Sequence, residues 1–143
     1  MQMNTYLNFD GRCREAFTFY ASCLGATVDV MLAHADTPAG EHVAPEWRDK
    51  IMHARLSLGN AVLMGSDAPL EERGTPGGFA VALHVEEPAE AERVFAALAD
   101  QGTVRLPIQE TFWARRFGML TDRFGIPWMV NCEQAPGAAP QGT

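Results

Sequence analysis

The sequence predicts an α+β fold built from one strand–helix–strands unit used twice. Three observations carry this. Tyr6-Leu7-Asn8-Phe9-Asp10-Gly11 leads into a helical pattern with Ala16, Phe17, Tyr20 and Leu24 that closes on Gly25. Val81-Ala82-Leu83-His84-Val85-Glu86 leads into a second pattern with Ala91, Val94, Phe95 and Leu98 that closes on Gly102. Each copy then runs into further strand-like segments with hairpin signals, at Gly59-Asn60 and between Asp122 and Gly125. A chain of 143 residues that is 47% apolar can build one domain with a sizeable core from two such units.

The elements follow in order. Asn4 to Phe9 alternates Asn4, Tyr6, Asn8 against Thr5, Leu7, Phe9, the period of a half-buried strand. Arg12 to Leu24 gathers an apolar helical face, and Gly25 is a natural stop. Ala26 to Ala33 reads as a strand. Asp36 to Asp49, with Pro38, Gly40 and Pro45, reads as a long loop or partly ordered excursion. Ile51 to Leu58 alternates Met52, Ala54, Leu56, Leu58 against Ile51, His53, Arg55, Ser57, and Ala61 to Met64 returns across Gly59-Asn60 as its hairpin partner. Asp67 to Gly78 is the expected linker. Phe79 to Val85 is a strand, Pro88 to Ala99 a helix with proline in its first turn, and Val104 to Ile108, Met119 to Thr121 and Trp128 to Asn131 are the remaining strands. This places module one at about 1–68, module two at about 78–134, both in one domain over 1–134, and a flexible tail over 135–143.

Charge and composition exclude several partners. The net charge of −7, with Lys50 as the single lysine and ten dispersed arginines, argues against nucleic acid and anionic membrane. No run approaches 18 apolar residues, the length a membrane helix needs. The odd set Cys13, Cys23 and Cys132 forms no CxxC pattern and suits a reducing, cytoplasmic setting. No GxSxG, GxGxxG or Walker pattern is present, and nothing ties a cysteine to a histidine. Cys23 and Cys132 read as packing residues.

Two regions could carry chemistry. The polar sides of the strands bring Asn4, Tyr6 and Asn8 together with His53, Arg55 and Ser57, and set His84 in the second copy; this wall either lines a cleft or faces solvent. Thr111 to Trp128 holds five aromatics and the arginines Arg115, Arg116 and Arg123. It makes either an apolar pocket with an anion-recognising rim or a core plug with arginine stems packed over it.

Phe9-Asp10-Gly11, Phe19-Tyr20, Leu24-Gly25-Ala26, His53-Ala54, Thr111-Phe112-Trp113-Ala114 and Asp122-Arg123-Phe124-Gly125-Ile126-Pro127-Trp128 carry a resemblance. Together, up to about Cys132, they resemble the PhnB-like branch of the vicinal oxygen chelate superfamily, which includes glyoxalase I, bleomycin-resistance proteins and extradiol dioxygenases. The resemblance implies paired βαβββ modules forming a curved, open barrel-like mixed sheet around a cleft, in a homodimer. It also implies metal-ligand positions, two per module. These fall on Asn4 (or Met3), His53, Ala80 and Met129, with His84 and Asn131 as a shifted alternative. One imidazole does not hold a divalent ion alone, so no cofactor is expected and His53 is a weak metal candidate. His34 and His42, in or near the long loop, are expected to be exposed. The branch often carries a demethylubiquinone methyltransferase label, but no glycine-rich nucleotide loop follows a strand here.

The expectation is a protein that binds a small organic ligand, anionic or aromatic, in the inter-module cleft through Tyr6, His53, Arg55, Phe112, Trp113 and Trp128. The alternative is a divalent-metal-dependent lyase, isomerase or dioxygenase of the superfamily's usual kind.

Overall fold

The computed structural model of the chain describes residues 1–134. The expected flexible tail, 135–143, lies outside the described residues. The chain divides into two compact units, one spanning Met1–Thr75 and one beginning at Pro76.

The first unit runs β1 (Thr5–Phe9), α1 (Cys13–Leu24), β2 (Thr27–Ala33), β3 (Ile51–Leu58), β4 (Ala61–Asp67) and the single turn α2 (Leu70–Arg73). Its four strands lie in the order β1-β4-β3-β2, with β1 parallel to β4 and the other pairs antiparallel. The second unit repeats this with β5 (Val81–His84), α3 (Pro88–Ala99), β6 (Thr103–Gln109), β7 (Ala114–Thr121) and β8 (Pro127–Glu133), in the order β5-β8-β7-β6. The fold class is α+β, as the sequence predicts.

In each unit the helix covers one face of the sheet. Helix α1 buries Cys13, Ala16, Phe17, Tyr20 and Cys23, and α3 buries Ala91, Val94, Phe95 and Leu98. The strands answer with period-two rows: Leu7, Phe9, Ala54, Leu56 and Leu63 in the first unit, Leu120, Trp128, Val130 and Cys132 in the second. Phe9, Phe17 and Tyr20 pack ring to ring at 6.0–6.4 Å.

Several details depart from the expectations. The stretch read as a long loop or partly ordered excursion is partly ordered, with three short 3₁₀ turns in and just before it, His34–Asp36, Pro38–His42 and Pro45–Trp47. Within it His42 is exposed, but His34 is half-buried and its Nδ1 lies out of solvent without a hydrogen-bond partner. Helix α1 does end on Gly25 in the left-handed region at φ 69°. Helix α3 does not use Gly102 that way: Gln101 takes the positive φ of 60°, and Gly102 is needed because a Cβ there would collide with the Thr121 carbonyl oxygen. Strand β7 starts at Ala114, five residues before the expected strand, so Arg115 to Gly118 are strand residues. The aromatic run had masked their alternation. Ile51, expected on the polar side of β3, is 1% exposed, because the β2–β3 ladder slips between Leu32 and Ala33.

Candidate functional site

The face of each sheet turned away from its helix is where functional side chains can stand clear of the core. In the first module, β1 alternation sends Leu7 and Phe9 toward α1 and Tyr6 and Asn8 the other way. The ladder aligns Tyr6 with Met64 and Met64 with Arg55, then Asn8 with Ser66 one rung further. His53, two residues before Arg55, continues that second rung, and its ring stacks on Tyr6 at 6.1 Å and 24°. The Ser66 hydroxyl donates to Asn8 Oδ1 at 3.3 Å. Arg55 is already engaged, donating from Nη1 to Asp29 Oδ2 at 3.0 Å. Tyr6 is 46% exposed, so one face of an aromatic–imidazole pair is open to a ligand.

In the second module the open face carries a different set. Ala82 aligns with Met129 and Met129 with Met119; His84 aligns with Asn131 and Asn131 with Phe117. Asn131 Nδ2 lies 3.3 Å from His84 Nδ1, and donates there in the tautomer that leaves Nδ1 unprotonated. Asn131 Oδ1 is out of solvent and without a hydrogen-bond partner. Phe112 and Trp113, in the turn before β7, are 52% and 44% exposed. They meet edge to face at 4.7 Å, and Trp113 meets Phe117 at 5.3 Å.

Three expectations change here. Trp128, expected among the ligand-binding aromatics, is 1% exposed on the helix side of β8 rather than on the open face, and its indole N–H donates to Asp122 Oδ2 at 2.8 Å. Its row follows from its pairing with Leu120 and Val81. Of the two readings of the arginines, an anion rim or stems packed over a core plug, the first loses support because all three are engaged by protein groups. Arg115 donates to the carbonyls of Glu133 and Glu86, Arg116 pairs with Glu92, and Arg123 pairs with Asp100. Asn4 precedes β1 and Ala80 precedes β5, so the residues level with His53 and with Asn131 are Asn8 and His84 instead.

The metal positions that the resemblance implies can be tested on donor chemistry within each module. His53 has Tyr6 against its ring and Asn8 and Ser66 along its rung, none a strong ligand for a divalent ion. Met129 faces Ala82 and Met119. Among the described residues no group of three or more His, Cys, Asp or Glu side chains converges on a common point. The donor sets within the modules therefore do not fit a divalent ion. Nor is a cysteine poised as a nucleophile: all three are buried, and burial, reinforced by the Asp67 charge, pushes the Cys13 thiol far above its ordinary value of 9.0.

Sequence reading missed two buried carboxylates that hold these faces in place. Asp67, at the end of β4, accepts from the backbone N–H of Gly11 and Cys13 on Oδ1 and of Ile51 on Oδ2, all at 2.8–2.9 Å. Asp122 accepts from the N–H of Phe124 and Ile126 and from the Trp128 indole at 2.8–3.0 Å. Asp122 was visible as a turn residue; Asp67 sat in the presumed linker, and nothing local marks a carboxylate whose partners lie up to 56 residues away.

A twice-used strand–helix–three-strand unit that leaves one sheet face open defines the paired-module class to which glyoxalase-like proteins conform. The model of the Glyoxalase/Bleomycin resistance protein/Dioxygenase superfamily matches residues 2–130, and the chain belongs to that family. It is 33% identical to protein YjdN of Escherichia coli K12 over 139 residues, covering 92% of this chain and 95% of that protein. Among solved structures, protein PA1353 from Pseudomonas aeruginosa is 49% identical with a TM-score of 0.83, covering 94% of this chain and 99% of that one. A PhnB protein from Bacillus cereus shares the fold at 23% identity and a TM-score of 0.77, over 92% of this chain and 99% of its own.

Proposed function

We propose that the chain is a PhnB-like binding protein that holds a small organic molecule with an aromatic or anionic group on the open faces of its sheets. The observation that carries this is the Tyr6–His53 stack, one side of which is exposed while the β-ladder fixes the other. A planar ligand gains stacking there without ordering new side chains. Arg55, with N–H groups left beyond its bond to Asp29, offers an anionic substituent a donor on the same face. In the second module Phe112 and Trp113 supply the same kind of aromatic surface. No residue in this reading performs a bond-breaking step, so the role is binding or sequestration. We place the protein in the cytoplasm as a homodimer; its odd set of three cysteines without a CxxC pattern suits a reducing compartment. Among the described residues no helix is long and apolar enough to cross a membrane.

Calorimetric titration with Zn²⁺, Mn²⁺ and Ni²⁺ separates binding from metal-dependent catalysis. The expected result is no His53-dependent heat. Micromolar metal binding that His53→Ala abolishes would overturn the binder reading in favour of a metal-dependent lyase, isomerase or dioxygenase.

A further inference from the structure

A groove of about 600 Å³ lies in the second module at the hairpin end of its sheet, lined by Phe79, Ala80, Leu106, Met119 and Trp128 with Arg105 among them. Its volume falls within the roughly 300–1,000 Å³ of small-molecule sites, and its side chains are mostly apolar. None of them belongs to the Tyr6–His53 or Phe112–Trp113 surfaces. Phe79 is 45% exposed and stands in the groove wall, where its ring is accessible to a ligand.

Arg105 is the distinguishing feature. Val104 pairs with Leu120 and Leu106 with Met119, so Arg105 is the extra residue of a β-bulge in β6. A bulge re-aims a side chain that regular pleating would hold in its row. Here the guanidinium reaches toward Thr121, with Nη1 3.5 Å from its hydroxyl. Among the described residues Arg105 forms no ion pair, unlike Arg12, Arg55, Arg93, Arg116 and Arg123. Among the described residues no acidic side chain lines the groove, and Arg105 is its one charged side chain. An apolar trough with a single uncompensated cation complements a ligand with a hydrophobic body and one negative charge.

We infer that this groove is a second binding site, for an amphipathic organic anion whose charged group meets Arg105 and whose apolar body lies against Phe79, Met119 and Trp128. The site stands independently of the open-face reading above.

The chain has three tryptophans, Trp47, Trp113 and Trp128, and their indole N–H signals report three separate places. In ¹H–¹⁵N NMR titrations of the full chain, naphthalene-2-carboxylate should shift the Trp128 indole saturably. The neutral naphthalene-2-carboxamide should bind more weakly. Arg105→Gln, at an exposed position, should weaken the carboxylate by roughly fivefold, the scale of one exposed charge pair, and leave the amide unchanged. A Trp128 signal that does not respond, equal affinity for acid and amide, or an Arg105→Gln variant that binds the acid like the wild type would each overturn the inference. A Trp128 signal that moves on dilution without ligand would assign the groove to a second copy of the chain, overturning it too. A response confined to Trp113 would remove this site and leave the open-face proposal standing.

Discussion

On the open face of the first module one rung reads Asn8, Ser66 and His53; on the corresponding strands of the second it reads His84, Asn131 and Phe117. The helix sides differ far less. Phe17 packs over Gly65 in the first module and Phe95 over Gly118 in the second, each ring so close that a Cβ on the glycine would meet it. Packing against a helix constrains size at every position, whereas a face turned away from the core is free to change its chemistry. The duplication therefore preserved a scaffold and let the two surfaces diverge, one toward a stacked Tyr–His pair and the other toward methionine and phenylalanine.

The buried aspartates sharpen this contrast and bring the largest expected effects. Asp67 ties β4 to the start of α1 and to β3, whereas Asp122 closes its own turn and holds Trp128. Asp67→Ala leaves three backbone donors without their acceptor and should cost about 4 kcal/mol in urea unfolding. Asp122→Ala should cost less, about 3 kcal/mol, because a short turn can rearrange toward water. The reverse order would break the idea that the first module depends on long-range tethering.

Next in size are the glycines. Gly65→Ala and Gly118→Ala should each lose about 2 kcal/mol of thermal stability by overpacking against Phe17 and Phe95. A large difference between the two would show that the helix sides are less equivalent than their geometry. On the open faces, Ser66→Ala and Met129→Ala should change stability by no more than about 1 kcal/mol, since neither residue is in the core.

Near neutral pH the smallest effect belongs to Cys13, whose contribution changes only in alkaline solution. With the folded Cys13 thiol held neutral, only the unfolded chain ionises as pH passes the ordinary value of 9.0. The unfolded state then binds fewer protons, so stability falls above that pH, by at most about 1.4 kcal/mol per pH unit, and is unaffected below it. Cys13→Ala should remove that alkaline slope in melts recorded across the range; a slope that persists unchanged would assign it to other groups.

Much of the scaffold was legible because its signals are periodic. The buried rows of α1 and α3, the alternation of β1 and β3 and the Gly59-Asn60 turn all follow from side-chain spacing. The Tyr6–His53 pairing was legible as a shared polar face, though not as a stack. What escaped depends on register and distance. Trp128 reads as an open-face aromatic until its rung with Leu120 places it on the helix side, and the arginines of 115–123 read as free until their partners at Glu133, Glu86, Glu92 and Asp100 come into reach. Arg105 drew no notice because a bulge leaves no mark in composition.

The open face of the first module is tested most directly by mapping backbone amide shifts while naphthalene-2-carboxylate is added to the wild type and to Tyr6→Ala. The account predicts saturable shifts at Tyr6, His53 and Ser66 in the wild type, with affinity at least about tenfold weaker once the ring is removed, the upper range of a single aromatic contact. Shifts at those amides that persist unchanged in Tyr6→Ala, or amides that never respond, would contradict it.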